Sequence, residues 1–161
     1  MMQSMKSKSK EKKEDEEKKE DEDELKEGQV RIKPLFSFEC ELTRNRQVSA
    51  MDINVANPEL IAVGYGEYDI NCTDNKLLKP GLLCFWTLKN PNFPEKIIET
   101  DHSITCCQFS KKQPHLIAIG DSHGNIAIYN IRSNDLKPIQ ESKDLDAKHS
   151  DIVWEVKWVT K

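Results

Sequence analysis

The stretch LIAVGYGEYD, Leu60 to Asp69, decides how this chain is read, because a reduced copy, LIAIGDSHG, stands at Leu116 to Gly124. The likeness runs upstream. VSAMDINVANPELIAVG from Val48 lies over ITCCQFSKKQPHLIAIG from Ile104 at an offset of 56 residues, with Pro58/Pro114, Leu60/Leu116, Ile61/Ile117, Ala62/Ala118 and Gly64/Gly120 identical. Downstream, GLLCFWTL from Gly81 lies over GNIAIYNI from Gly124 at an offset of 43, so the first copy carries 13 further residues, Glu67 to Lys79. Insertions that leave the flanking phase intact belong in loops. A third start follows at DIVWEVKWV from Asp151, where Val153, Val156 and Trp158 repeat the spacing of Ile104, Cys107, Phe109 and of Val48, Met51, Ile53.

These runs are about four to seven residues long, rich in Ile, Val and aromatics, and bounded by Gly, Pro or Asn, which favours strands over helices. LIAVG and LIAIG have no alternating polar residue, so both faces of those strands should be covered. Asn57-Pro58 and Gln113-Pro114 are turn signals at equivalent places, since Pro fixes φ and holds the preceding residue out of the helical region. Repeats of roughly 40 to 50 residues built from several short strands point to a β-propeller. The expectation is an all-β fold over 35–161, with blades at about 48–100 and 104–142 and the start of a third at 149–161. Outer strands fall at Lys96 to Thr100 and Pro138 to Ser142, and the alternation of LFSFEC predicts one more at Leu35 to Cys40, ahead of the first blade. Trp86 and Tyr129 share a register at which an aromatic ring can fill the wedge between blades.

Residues 1–34 form a charged, low-complexity tail and linker. Lys6 to Glu27 holds almost no apolar side chain to offset the entropy of ordering, so a disordered or transiently helical tail is expected. Glu14 with Lys18 and Asp15 with Lys19 favour a helix there, whereas Glu16 with Glu20 and Glu20 with Glu24 oppose it. Formal net charge is −4 and the basic residues are not gathered on an aromatic-bearing face, so nucleic acid is not an expected partner. No apolar run approaches the roughly 18 to 20 residues that cross a bilayer, and the start lacks a signal-peptide pattern. No membrane partner is expected, and the cytoplasm is the expected compartment. Five cysteines without CxxC spacing fit reduced thiols better than a disulfide frame or a zinc site.

A catalytic reading would recruit Asp69, Asp74, Asp101, Asp121, His102, His123 and His149, of which His102, Asp121 and His123 come nearest to a cluster. No nucleophile motif accompanies them. GYGEYD lacks the Lys and Ser/Thr of a phosphate-binding GxxxxGK(S/T) loop and the third glycine of GxGxxG. No catalytic, cofactor-binding or metal-binding residue is assigned, no cofactor is expected, and the chain is not read as an enzyme. Cys106 and Cys107 are neighbours on a strand and point to opposite faces, so they cannot share a metal. The insertion is the candidate protein-contact loop, through Glu67, Tyr68, Asp69, Asp74 and Lys76. Gly64, Trp86, His102, Gly120, Tyr129, His149, Trp154 and Trp158 are the expected structural blade residues.

The repeat phase, His102 and His149 ahead of strand starts, and the aromatic closing each third strand resemble WD40 repeats. More narrowly, AVGYGEYD from Ala62, PGLLCFWTLKNPNFPE from Pro80, GNIAIYNI from Gly124 and KHSDIVWEVKW from Lys148 resemble the axonemal dynein intermediate chains, over Leu35 to Lys161. The resemblance implies a partial WD40 propeller acting as a non-catalytic scaffold in a dynein arm. Implied partners are the dynein heavy chain, another dynein intermediate chain, light chains and microtubules, in the cytoskeleton of the cilium axoneme. Another WD40 adaptor for dynein assembly or ciliary trafficking, or a truncated product without function, are the alternatives. The chain departs from the WD40 pattern: Thr87 and Asn130 stand where the WD dipeptide has Asp, and Ala118 and His123 stand where blades often have Ser/Thr and Asp. Inter-strand hydrogen bonding should therefore be degraded and stability should lean on apolar packing. The tail has no clear TQT-like light-chain motif. Two blades alone should also leave their outward faces uncapped.

Overall fold

Short apolar runs that end at turn residues become strands here. In the computed structural model, which describes residues 32–66, 80–143, 146 and 148–159, all secondary structure is β. The strands are β1 (Val48–Ile53), β2 (Leu60–Tyr65), β3 (Gly81–Thr87), β4 (Lys96–Thr100), β5 (Ile104–Phe109), β6 (Leu116–Asp121), β7 (Ile126–Asn130) and β8 (Pro138–Glu141). They form two four-stranded antiparallel sheets, ordered β1-β2-β3-β4 and β5-β6-β7-β8. The Asn57-Pro58 and Gln113-Pro114 signals close equivalent turns, with Leu60 N–H donating to Asn57 O at 2.9 Å and Leu116 N–H to Gln113 O at 2.8 Å. A chain division falls between Leu35 and Phe36, and both sheets belong to the unit from Phe36 onward.

The repeat seen in the sequence holds at the level of register. Ala50 pairs with Gly64 and Cys106 with Gly120, and each innermost strand carries a bulge at the same place, between Val48 and Ala50 and between Ile104 and Cys106. At each bulge a hydroxyl pins the same carbonyl: Ser49 Oγ donates to Gly64 O and Thr105 Oγ1 to Gly120 O, both at 3.1 Å.

The sheets stack through their near faces. Ala62, Leu83, Phe85 and Ile98 of the first meet Ile104, Phe109, Ile117, Ile119, Ala127 and Tyr129 of the second in one buried cluster. Phe85 and Phe109 pack with ring centroids 6.2 Å apart. Every residue of β3 is buried, as the unbroken apolar run requires. Tyr129 does fill the wedge between the sheets. Trp86, at the same register, faces the opposite way from Phe85, into a second cluster with Val63, Tyr65, Leu82 and Cys84 on the far face of the first sheet.

Two expectations need correcting. No strand forms over Phe36 to Cys40. The first sheet ends at β1 and β4, and the segment extends neither edge but lies on the far face instead, against the apolar cluster there. There Phe38 packs on Trp86 at 5.4 Å, Cys40 joins the same cluster, and Glu39 N–H donates to Pro91 O. The expected lack of caps is thus only partly met. The third start also forms no strand over residues 152–159, because no second strand of a third sheet is present among the described residues to ladder with it. It docks side-on upon the far face of the second sheet, with Val153 6% exposed.

Phe109 is 1% exposed at the centre of the inter-sheet cluster. Phe109→Ala is expected to cost about 3–5 kcal/mol, whereas Ile139→Ala, at a position 56% exposed, should stay within about 0.5 kcal/mol. Urea titrations of the two variants with equal m-values check this; equal midpoints would contradict the placement of the core.

Candidate functional site

The candidate site is the seam along which one sheet receives the next strand. Two side-chain features repeat there. The first is steric. A Cβ added at Gly64 would lie 2.8 Å from Ile104 Cγ2 and 3.3 Å from Ala50 Cβ; one at Gly120 would lie 2.6 Å from Val153 Cγ1 and 2.7 Å from Cys106 Sγ. Glycine beside a small residue therefore makes a socket, and the β-branched residue opening the next innermost strand fills it.

The second is polar. Asp52 Oδ2 accepts the backbone N–H of Phe109 at 2.7 Å, and Gln108 Oε1 accepts that of Trp158 at 2.8 Å. The residue offset that aligns the repeats also aligns Asp52 with Gln108. Trp158 returns its indole N–H to Gln108 O at 2.9 Å. Around this rung, the single Thr105 hydroxyl proton is shared between Gly120 O and the closer Val153 O, at 2.5 Å, and Asn54 Nδ2 donates to Pro114 O at 2.6 Å; farther out, on β4, Lys96 Nζ donates to Ile131 O and Ser133 O. Polar groups removed from water are thereby satisfied across the seam, which avoids a desolvation penalty of about 1–3 kcal/mol apiece.

Of the sequence-assigned structural residues, Gly64, Gly120 and Trp158 lie in this seam. Tyr129 backs it from the near face of the second sheet, Trp86 lies on the far face of the first, and Trp154 is 69% exposed beside it. His149 lies against the β6–β7 turn: Gly124 has φ +82° and a Cβ there would collide with His149 O. Glu67, Tyr68, Asp69, Asp74 and Lys76 lie outside the described residues. Asp52 and Gln108 went unremarked in the sequence. Their signal was present, as two side chains able to accept hydrogen bonds at matched positions of strands otherwise short of polar groups.

The cluster of His102, Asp121 and His123 is assembled. The imidazoles of His102 and His123 stack with centroids 3.6 Å apart and planes 13° from parallel. Asp121 accepts from the N–H groups of His123 and Asn125 at 2.8 and 2.9 Å and from Asn125 Nδ2 at 2.7 Å. Its carboxylate is therefore committed to holding the turn. A cavity of about 120 Å³ beside it is bordered by Glu99, Asp101, His102, Tyr129 and Lys143. Among the described residues, no group of three or more His, Cys, Asp or Glu is placed to hold a metal ion. Cys107 packs against the inter-sheet cluster while Cys106 Sγ faces Val153 O on the other side, and burial pushes the Cys107 thiol up to about 12.

Comparison with known proteins bears directly on this repeat. The family model described as the Dynein axonemal intermediate chain 3 WD40 domain matches residues 30–157. The chain belongs to this family. It is 41% identical over 128 residues to Dynein axonemal intermediate chain 4 of Homo sapiens, covering 80% of this chain and 14% of that protein. It is 32% identical over 135 residues to Dynein intermediate chain 2, ciliary, of Heliocidaris crassispina and to Dynein axonemal intermediate chain 1 of Rattus norvegicus, covering 84% of this chain and 18% of each. The chain thus spans less than a fifth of the length of these relatives.

Within a WD40 blade of this dynein family, the turn chemistry is re-sited. His123 stands where such blades often have Asp, and it keeps its neighbour His102 by ring stacking, while Asp121 supplies the hydrogen bonds. The expected loss of hydrogen bonding therefore does not extend to this turn. Burial, then the closeness of His123, holds His102 below its ordinary 6.5, with Asp121 and Asp101 pulling the other way.

That shift gives a pH dependence with a definite sign. The unfolded chain takes a proton at His102 more readily than the folded chain, so the contribution of the neutral ring is complete above 6.5 and is lost as pH falls below it. Asp101, held below 3.8 by its bond to Lys143, titrates in a lower window and does not interfere. Thermal midpoints should fall more steeply between about pH 7 and 5.5 for the natural chain than for His102→Gln; parallel slopes would assign the effect elsewhere.

Proposed function

We propose that this chain is a non-catalytic scaffold segment of an axonemal dynein arm. Its sheets contact the dynein heavy chain and another dynein intermediate chain, and they help attach the motor to ciliary microtubules. The observation that carries this reading is the family match across residues 30–157. The folded part supports it by offering repeated sheet faces and seams, the kind of surface on which proteins rather than small molecules dock. ATP hydrolysis belongs to the heavy chain, and no catalytic, cofactor or metal role is proposed for any residue of this chain.

The division into a tail at 1–34 and a repeat region at 35–161 is part of the proposal, with the tail as a solvated arm. So is the contact role of Glu67, Tyr68, Asp69, Asp74 and Lys76, an insertion with three acidic side chains suited to a basic partner surface. The place of action is the cytoplasm and the cilium axoneme, consistent with the words axonemal and ciliary in the names of the relatives.

Tagged chain expressed in ciliated cells is expected to remain with isolated axonemes through a high-salt wash and to bring dynein heavy chain into the purified fraction by mass spectrometry. Replacing Glu67, Asp69 and Asp74 together by Ala should lower heavy-chain recovery several-fold. Recovery without heavy chain would count against the scaffold reading, and release by the wash would favour a soluble assembly or trafficking adaptor.

A further inference from the structure

The wedge between the two sheets is not filled to its outer end. Beside Tyr129 a cavity of about 120 Å³ remains, bordered on its apolar side by Ile119, Ala127 and Pro138. At roughly 30 Å³ for each liquid water it has room for about four waters. That exceeds what a bare ion needs and falls well short of the roughly 300 Å³ or more of a drug-sized ligand site. A single side chain from another protein lies in that range.

Tyr129 ends there without a partner. The residue is 6% exposed, so its side chain has left bulk water, yet the hydroxyl meets no hydrogen-bonding group among the described residues. Nor is it sealed in protein, which leaves the cavity as the space it faces. A polar group taken out of water in this way calls for an occupant that completes its hydrogen bonding.

Register sets a carboxylate on the same wall. Glu141 of β8 pairs with Ala127 of β7, and paired residues share a face. Ala127 and Tyr129 lie on the face turned to the first sheet, and Glu141 therefore does too. It forms no ion pair among the described residues. Asp121 is held by neutral N–H donors, so its charge is not cancelled. Asp101 takes Lys143 at 2.6 Å. Four carboxylates, of Glu99, Asp101, Asp121 and Glu141, thus border the cavity against the one ammonium of Lys143, and the neutral His102 ring adds no second cation near pH 7. Burial, then Glu141, Asp101 and Asp121, raise the Tyr129 hydroxyl above its ordinary 10, so it keeps its proton and offers its lone pairs.

We infer that this cavity is an anchor pocket for an arginine side chain of a protein partner. The apolar border suits the methylene stem. The Tyr129 oxygen and the Glu141 carboxylate are acceptors for a guanidinium, which carries donors only, stays charged and is more weakly hydrated than an ammonium. An anion would meet the wrong sign of charge. Arginines seated in such pockets are recurrent anchors of protein contacts. The inference stands on the cavity and does not depend on the role in a dynein arm.

The full chain can be titrated with acetyl-glycyl-arginyl-glycinamide and, separately, with the same peptide carrying citrulline, which keeps the shape and loses the charge. The arginine peptide is expected to bind saturably with a Kd of about 1 mM, moving the Ile119 methyl and His102 ring resonances in NMR spectra. The citrulline peptide should bind at least about tenfold more weakly. Glu141→Gln, at an exposed position, should lower the affinity for the arginine peptide about fivefold. Tyr129→Phe, which keeps the ring in the core, should lower it about threefold. The inference is overturned by arginine and citrulline peptides that bind alike, by the absence of any saturable shift, or by an affinity unchanged in Glu141→Gln. It is also overturned by a Tyr129 hydroxyl proton that is protected in the free chain through a hydrogen bond to Glu141, a measurement on the natural chain in which the pocket is closed by its own walls.

Discussion

Everything in this fold depends on one close approach. A strand can sit against the face of a neighbouring sheet at van der Waals distance only where nothing projects from the facing backbone, and Gly64 and Gly120 provide that gap. Ala50 and Cys106, paired with them, keep the floor of each gap low. Once Ile104 is seated, the rest of the near-face cluster can close around it, with Phe85 against Phe109 and Tyr129 behind. A dense apolar interior of this kind tolerates little change of volume, which makes the two glycines structural determinants and not passive spacers.

Asp52 and Gln108 add direction to that contact. Apolar packing alone would tolerate sliding along the strand, but an acceptor aimed at one N–H fixes where the next strand stops. The two positions hold different chemical groups, a carboxylate and a carboxamide, with the same geometry. What has been kept is the ability to accept, and charge is incidental to it.

Much of this was legible in the sequence, for physical reasons. Apolar runs with matched turn prolines declared the strands and their order, because periodicity and turn chemistry are local properties. The all-β repeat and its family followed from them. Less legible was whatever depended on the presence of a neighbour. LFSFEC has the alternation of a strand, yet Phe36 to Cys40 extends neither edge of the first sheet and uses the Phe38 ring to cover Trp86. DIVWEVKWV has the phase of an innermost strand and binds in the right register, but without a ladder it is no strand. Asp52 and Gln108 looked like ordinary polar residues on half-buried strands, since their partner amides lie about fifty residues further along the chain.

The bulge shared by β1 and β5 carries a geometric consequence. One surplus residue in a strand sharpens its right-handed coil locally, and here it does so beside each socket, where Ser49 and Thr105 hold the kink with a hydroxyl. The same local kink therefore recurs in the first strand of each sheet, directly beside the glycine that receives the strand of the following layer, so the site of closest approach and the site of strongest coiling coincide in both copies.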